Sequence, residues 1–272
     1  MPLLGAPTGV VFNSTTDFAA APGQPARYIL ATEDGTIAAW SNAGAAVTKV
    51  DLSALGAVYK GLALGNSGGK NYLCAANFSA GRVDVFDANF VPVALAGTFS
   101  DPDLPAGFAP FNAQNIGGKL YVTYALPDAA KKDDVSGPGN GYVNVFDTGG
   151  KLLQRFVSQG PLNSPWGVVL APAGFGGFGG ALLVGNFGDG RINAFNPTTG
   201  AWLGALQDGS GKALPIDGLW GLSFGNGNKA GDTHTLYFTA GIAGSGTVED
   251  HGLFGSIAPS ASIAATATEG VQ

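Results

Sequence analysis

Charged residues are scarce in this sequence. Asp, Glu, Lys and Arg make up 12% of its 272 residues, and 13 basic against 19 acidic side chains give a formal net charge of −6. Binding to nucleic-acid phosphates requires clustered Lys and Arg. The basic residues here are scattered, so no nucleic-acid partner is expected. No apolar run approaches the roughly 18 to 20 residues that a membrane-spanning helix needs, so no membrane span is predicted.

Cysteine and histidine are also rare. Cys74 is the single cysteine, which leaves no internal disulfide or thiolate metal cluster to predict. It alternates with Tyr72 and Ala76 on one face of a predicted strand, so we expect buried packing rather than a nucleophile. The two histidines, His234 and His251, occur without a G-x-S-x-G or H-E-x-x-H motif. The sequence therefore predicts no convincing catalytic constellation and no cofactor.

Glycine, by contrast, is abundant. The chain has 45 Gly and 16 Pro and is 45% hydrophobic, which excludes ordinary disorder and favours many short strands joined by turns. One run, "GFGGFG" at residues 174–179, has the G-x-G-x-x-G pattern of nucleotide-binding loops. It lies between two predicted strands, with no helix to direct its N-terminus at a phosphate. We therefore interpret it as a turn.

A repeat organises the whole chain. A strand-like element of the form G-x-apolar-x-small-aromatic recurs as "GTIAAW", "GRVDVF", "GYVNVF", "GRINAF" and a degenerate "GLFGSI". Each copy follows a second strand ("YILATED", "NYLCAANF", "KLYVTYA", "ALLVGNF", "TLYFTAG") and a third strand of small and apolar residues ("TGVVF", "KGLAL", "FNAQNI", "WGVVL", "WGLSF"). A fourth strand follows in the first four units. The repeat predicts an all-β fold, a β-propeller of four-stranded antiparallel blades with about five blades present and the small-residue strand innermost.

Several stretches carry a resemblance to a known family. "FAPFNAQNIGGKLYVTYALPD", "LLVGNFGDGRINAFNPTTGAWLGAL" and "IDGLWGLSFGNG" resemble a family of uncharacterised bacterial β-propeller proteins that look secreted, some with a PEP-CTERM sorting signal. The resemblance implies a six-bladed, NHL-like propeller in an extracellular, cell-surface or periplasmic location, and no established activity. The comparison with that family leads us to expect that the N-terminal blade is missing here, and the segment after Met1 has neither the basic start nor the apolar core expected of a signal peptide.

These considerations predict one propeller domain over residues 1–258 and a flexible tail over residues 259–272. The ring is expected to be an incomplete six-bladed one, with a seam between the blade that begins near Gly9 and the blade that contains Trp220. An open wedge leaves an unprotected strand edge or apolar face, so self-association through the seam is expected. We also expect Phe86, Phe146, Phe195 and Trp202 to fill the wedge-shaped cores between blades.

Candidate site residues lie in the loops that meet at one mouth of a propeller axis, which is an inference from the fold alone. They are Asn77, Arg82, Asn112, Asn163, Trp166, Asn186, Arg191, Asp217, Trp220 and His251. Two "NF…GR" loops predict equivalent positions for Asn77 and Asn186, whose side chains either face a ligand or cap their own turns. The Trp-Gly pairs indicate either a platform for sugar rings or wedges between blades.

Metal binding has weaker support. Asn77, Asn186, Asp217 and Glu249 are the weak candidates for an axial metal. The loop "KKDDVSGPGNG" could offer Asp133 and Asp134 to Ca²⁺, but it lacks the spacing of a known calcium loop. The favoured function is a secreted, non-enzymatic propeller that binds a glycan, polymer or protein through one axial mouth. The alternative is a metal-dependent, lactonase-like hydrolase of the same architecture.

Overall fold

The computed structural model describes residues 6–42, 44–242 and 251–259, and these form a β-propeller of five consecutive antiparallel blades. Blade 1 comprises β1 (Pro7–Phe12), β4 (Tyr28–Thr32), β5 (Thr36–Trp40) and β6 (Val47–Asp51), with the small hairpin β2 (Ala19–Ala21) and β3 (Gln24–Pro25) inserted after β1. Blade 2 comprises β7 (Tyr59–Ser67), β8 (Lys70–Asn77) and β9 (Arg82–Phe86).

The remaining strands follow the same order within each blade. Blade 3 comprises β10 (Ala109–Ile116), β11 (Lys119–Ala125), β12 (Tyr142–Asp147) and β13 (Leu152–Ser158). Blade 4 comprises β14 (Pro165–Leu170), β15 (Leu182–Asn186), β16 (Ile192–Phe195) and β17 (Trp202–Ala205). Blade 5 comprises β18 (Leu219–Phe224), β19 (Leu236–Ile242) and β20 (His251–Ile257). The propeller prediction is confirmed, and so is the end of blade 5 after three strands in the described part of the chain.

Blade 2 departs from the predicted four-stranded pattern. Its fourth element is reduced to a single bridge between Phe86 and Pro92, and the amide of Val93 donates to the carbonyl of Val85. Proline has no backbone N–H, so it interrupts the ladder where a regular edge strand would continue. The segment therefore follows the blade edge without forming a strand.

Short hairpins connect the innermost and second strands. Gly68 and Gly69 join β7 to β8, and Gly117 and Gly118 join β10 to β11, all with positive φ. Two central residues with positive φ make the type of turn whose twist matches that of paired strands. The glycine run at residues 174–179, which lies between β14 and β15, contains a 3-10 turn, Gly176–Phe178. The interpretation of that run as a turn is confirmed.

The innermost strands pack backbone against backbone. A Cβ atom on Gly9 would lie 2.8 Å from the Cα of Gly61, one on Gly61 would lie 2.7 Å from the Cα of Asn112, and one on Gly167 would lie 2.7 Å from the carbonyl oxygen of Trp220. Glycine alone permits such close approach between neighbouring strands. These small residues therefore draw β1, β7, β10, β14 and β18 together around the axis, in that order.

The close backbone packing between neighbouring innermost strands ends at blade 5. A Cβ atom on Gly221 would meet Thr239 of its own blade and Trp166 of blade 4, and nothing from blade 1. A cleft of ≈ 630 Å³ lies there instead, between Thr8 in blade 1 and Thr239 and Phe254 in blade 5. This cleft lies where the sequence predicts a seam, and that the ring is open there stays a prediction. The number of blades in a closed ring stays a prediction.

Large aromatic residues fill the spaces between blades. Phe86, Phe146 and Phe195 are completely buried, as expected, whereas Trp202 is 56% exposed, so its expected core position is wrong. The physical reason is its place on the outermost strand β17, where the indole covers the blade rim and donates to the Oδ1 of Asn193. No helix in the described part of the chain is long and apolar enough to span a membrane.

Candidate functional site

Five aromatic side chains meet at one mouth of the axis. Phe78, Phe111, Trp166, Phe187 and Trp220 come from blades 2 to 5 and belong to one apolar cluster. Trp220 packs 4.5 Å from Phe187 and 5.9 Å from Phe111, and Trp166 stands perpendicular to Trp220 at 5.4 Å between ring centroids. The mouth is therefore lined by aromatic faces and edges.

A buried ion pair lies against this cluster. Lys60 belongs to the innermost strand β7, and its side chain is 2% exposed. The ammonium lies 5.9 Å from the ring centre of Phe78 and 6.0 Å from that of Phe111, within the range of a cation–π interaction. It also contacts the carboxylate of Glu33, which comes from the turn between β4 and β5 and is 3% exposed. The pair joins blades 1 and 2 at the axis.

A long segment from blade 3 reaches over the ion pair. We call residues 127–140, between β11 and β12, the strap. Lys132 in the strap lies 3.3 Å from the second carboxylate oxygen of Glu33, and Asp133 lies 3.6 Å from Lys60. The amide of Gly137 donates to the Oδ1 of Asn163 at 2.7 Å, which ties the strap to blade 4. Together with Trp220 of blade 5, residues from all five blades therefore meet at this mouth.

Burial also changes the acidity of one strap residue. The pKa of Asp134 is raised above its ordinary value, chiefly because the carboxyl is withdrawn from solvent. Hydrogen bonds from Ser164 and Ser136 act in the opposite direction but are the weaker influence. The carboxyl group of Asp134 is therefore harder to ionise than that of an exposed aspartate.

The seam cleft leads from the rim toward this mouth. Its larger part, ≈ 630 Å³, is lined by Thr8, Glu33, Trp220, Thr239 and Phe254 among others. A continuation of ≈ 340 Å³ shares Thr8, Trp220, Thr239 and Phe254 and adds Asn112, Gln114 and Trp166. Concave sites of roughly 300 to 1,000 Å³ with a few convergent polar groups are typical of small-ligand binding. The cleft is therefore the candidate site.

Two polar groups in the cleft are unpaired. The indole N–H of Trp220 and the side-chain amide of Gln114 have no hydrogen-bond partner among the described residues, and Gln114 is exposed. The hydroxyl of Thr239 accepts from the amide of Gly221 at 2.9 Å and keeps its own proton to donate. These groups can bind a ligand without first breaking an internal bond.

The predicted asparagines are held by bonds within the protein. Asn77 ends β8 and Asn186 ends β15, so the two occupy equivalent positions on blades 2 and 4. The Nδ2 of Asn77 donates to Asp84 at 2.7 Å, and that carboxylate also binds the exposed Arg82. The Nδ2 of Asn186 donates to the Pro161 carbonyl at 2.9 Å, while its Oδ1 has no partner in the described chain.

Some of the other predicted residues form hydrogen bonds between blades, and some line the cleft. Asn112 donates to the carbonyl oxygen of Trp166 at 2.7 Å, across the boundary between blades 3 and 4. Trp166 donates to the carbonyl oxygen of Lys60 at 3.2 Å. The side chains of Arg191 and Asp217 are exposed. Of the sequence candidates, the structure brings Asn112, Trp166 and Trp220 together at the cleft.

The described residues of the weak metal set lie on different blades. Asn77 and Asn186 are engaged on separate blades, Asp217 is exposed, and Glu249 lies outside the described residues. His251 belongs to β20, but its side chain is likewise outside the description. No group of three or more His, Cys, Asp and Glu in residues 6–42, 44–242 and 251–259 is placed to hold a metal ion.

Sequence reasoning missed Lys60 and Glu33. The signal was a lysine in "YKGLALGNS", an innermost strand whose counterparts carry only small, apolar or uncharged polar residues. In a chain with 12% charged residues, one lysine in a buried strand requires a buried partner. Its partner could not be identified, because Glu33 is 27 residues away in another blade.

Comparison with known proteins places the chain among viral relatives and propeller structures. It is 34% identical over 249 residues to an uncharacterised protein of Acanthamoeba polyphaga mimivirus and 35% identical over 252 residues to a second one. These matches cover 87% and 86% of this chain but 60% and 63% of the relatives, so the chain spans about three fifths of their length. No protein-family model matches.

The structural comparisons agree with the fold. A nidogen/laminin complex matches with a TM-score of 0.55 at 16% identity, covering 87% of this chain and 73% of that one. A gluconolactonase from Xanthomonas campestris matches with a TM-score of 0.53 at 15% identity, covering 87% and 83%. At such identities the likeness shows the fold alone. The relatives above are viral, so the bacterial secreted family implied by resemblance stays a prediction, and the chain is a β-propeller similar to uncharacterised mimivirus proteins.

Proposed function

We propose that the protein is a secreted, non-enzymatic binding protein that takes a glycan, polymer or protein segment into the seam cleft. The observation that carries the proposal is the cleft itself, ≈ 630 Å³ and continuous through shared residues with a second space at the aromatic mouth. Trp220 lines both parts and keeps a free indole N–H. A concave site with aromatic walls and unpaired donors is built for binding, and it requires no reactive group.

A metal-dependent hydrolase is the second candidate. Its support is the fold likeness to a gluconolactonase at 15% identity. Two observations weigh against it: no group of three or more His, Cys, Asp and Glu in the described residues is placed to hold a metal ion, and the ammonium of Lys60 already lies at the axis beside Glu33. A metal ion near Glu33 would compete with Lys60 and Lys132 for the same carboxylate.

Binding can be followed through the protein's own fluorescence. Replacing Trp40 and Trp202 by Phe leaves Trp166 and Trp220, both in the cleft, as the emitting indoles. This variant is titrated with neutral oligosaccharides, acidic oligosaccharides and extended peptides. We expect saturable quenching by members of one class, and we expect Thr239→Phe, which fills the cleft, to abolish it. Thr198→Phe, an exposed position in blade 4, is the control.

Catalysis is tested on the same preparation. We expect no acceleration of δ-gluconolactone hydrolysis with Ca²⁺ or Zn²⁺ and no bound metal by elemental analysis. Hydrolysis that a chelator abolishes would establish the second candidate. Failure of every ligand class to quench the cleft indoles would contradict the binding proposal.

Location and assembly are further parts of the proposal. Extracellular location rests on the family resemblance, and it is tested by fractionating cells that express the natural protein. Self-association rests on the open seam and on Val10, Phe12 and Phe254, which are exposed on its two walls. A concentration-dependent sedimentation coefficient would support it, and a monomer at high concentration would contradict it.

A further inference from the structure

The seam cleft is electrically neutral along most of its length. Among its described lining residues, Glu33 is the single acidic or basic side chain. That carboxylate is already matched by Lys60 and by Lys132 at 3.3 Å. A charged ligand would lose hydration in the cleft without finding an opposite charge that is free to compensate. The cleft therefore favours an uncharged ligand.

Two aromatic surfaces line the cleft. On the innermost strand β18, Trp220 is backed by Phe187 at 4.5 Å, which fixes its plane. On β20, Phe254 is 70% exposed and stacks on Tyr237, with 5.7 Å between ring centres and 9° between planes. A stacked pair presents one flat, apolar face to solvent. Such faces suit the flat C–H surface of a pyranose ring.

The free polar groups between these faces are amide, hydroxyl and indole groups. Gln114 offers both a donor and an acceptor, Thr239 a hydroxyl proton, and Trp220 an N–H. Together they can satisfy hydroxyl groups, which donate and accept at once. A polypeptide strand needs a row of backbone partners along a free strand edge. In the described structure β20 pairs only with β19, so its other edge offers such partners, and the peptide probe below tests this occupant.

Resting on the proposed binding function, we propose that the ligand is a neutral oligosaccharide, with one sugar ring stacked on Trp220 and its hydroxyls bonded to Gln114 and Thr239. The neutral lining, the two aromatic faces and the uncharged hydrogen-bonding groups each favour this class. Lys60 and Glu33 support the inner wall without binding the sugar directly.

The test uses maltohexaose, cellohexaose and xylohexaose as neutral probes, hexagalacturonate as an acidic probe, and an alternating Val-Thr peptide as the polypeptide probe. Titration calorimetry on the full chain measures each dissociation constant. We expect at least one neutral hexasaccharide to bind, with a constant that stays within about twofold between 0.05 and 0.5 M NaCl, because salt screens only charged contacts. The acidic probe is expected to bind more weakly.

Two variants test the assigned residues. Trp220→Phe keeps an aromatic ring and removes the N–H, and Gln114→Ala removes the amide from an exposed position; each is expected to weaken binding about three- to tenfold, the loss of one hydrogen bond. Trp202→Phe and Gln207→Ala remove the same groups outside the cleft and should leave binding unchanged. Unchanged circular dichroism verifies that each variant folds.

The outcomes separate the two proposals. Binding of the peptide or the acidic probe in preference to every neutral sugar overturns the carbohydrate assignment while leaving a binding protein. Sugar binding that Trp220→Phe and Gln114→Ala do not alter overturns the assigned residues. If none of the probes binds and Thr239→Phe changes nothing in the broader fluorescence panel, the binding function itself fails.

Discussion

The ammonium of Lys60 in blade 2 contacts the carboxylate of Glu33 in blade 1, and both side chains are almost fully withdrawn from solvent. Buried pairs add little net stability compared with apolar residues of the same shape, because desolvation offsets their attraction. Removing one partner, however, leaves the other charge buried in an apolar site without a counter-charge. The pair therefore fixes the relative position of blades 1 and 2.

Lys60→Met should destabilise the fold strongly. The variant leaves Glu33 with Lys132 alone and removes the cation beside Phe78 and Phe111, so we expect a loss of about 3 kcal/mol in the free energy of unfolding. Urea denaturation measures it. Lys70→Met, at the exposed end of β8, is the control and should change stability by less than about 0.5 kcal/mol. Equal effects at both positions would contradict the role given to the pair.

The innermost glycines should differ in their tolerance of alanine. Gly61→Ala would place a methyl group 2.7 Å from the Cα of Asn112, so we expect it to cost about 1 to 3 kcal/mol by overpacking. A methyl group from Gly221→Ala would lie 3.0 Å from the Thr239 hydroxyl and at an ordinary contact distance of 3.8 Å from the Trp166 ring, with no backbone atom in close approach. Thermal unfolding should show a larger loss of stability for Gly61→Ala than for Gly221→Ala. A comparable loss at Gly221 would indicate that blade 1 packs directly on blade 5.

Stability should fall in acid partly through Asp101. The hydrogen bonds from Arg155 are the main reason that the pKa of this carboxyl is lowered below its ordinary 3.8, and the bonds from Asp103 and Asn144 add to the effect. A lowered pKa in the folded state means that its stabilisation is present above the unfolded pKa and is lost as pH falls through the folded one. Asp101→Asn should therefore cost about 1.5 to 3 kcal/mol at neutral pH.

The difference between Asp101→Asn and the parent protein should shrink in strong acid, where the parent carboxyl is protonated too. Chemical denaturation at about pH 7 and about pH 2.5 measures this convergence. Asp103→Asn is the matched control, because Asp103 binds the same Arg155 from a position that is 72% exposed. A constant difference across this pH range would exclude Asp101 as the titrating group.

Cys74 should be unreactive in the folded protein. The thiol is completely buried, and burial raises its pKa to about 12, so almost no thiolate forms at neutral pH. Ellman's reagent at about pH 8 should react only after denaturant is added. Ser210→Cys introduces an exposed thiol that should react at once. Rapid reaction of the parent protein would show local opening of blade 2.

The blade pattern could be read from the sequence because strands, turns and repeats are local properties. The alternation in "GRVDVF" and "GRINAF" predicts strands β9 and β16, and the Gly, Asp and Asn residues before them predict the turns that lead into these strands. The innermost position of the small-residue strands also followed from the pattern, since only small residues permit close approach at the axis. The burial of Cys74 followed from its alternation in β8.

The site depends on contacts that local sequence does not encode. Glu33, Lys60 and Lys132 lie far apart along the chain, and only the packing of blades 1 to 3 around the axis brings them together. The outward position of Trp202 and the shortened edge at Pro92 were also decided by tertiary packing. The sequence alone thus determined the fold and the order of its blades, because these follow from periodicity. The tertiary structure decided which side chains share the mouth, since long-range packing alone sets which charge meets which partner.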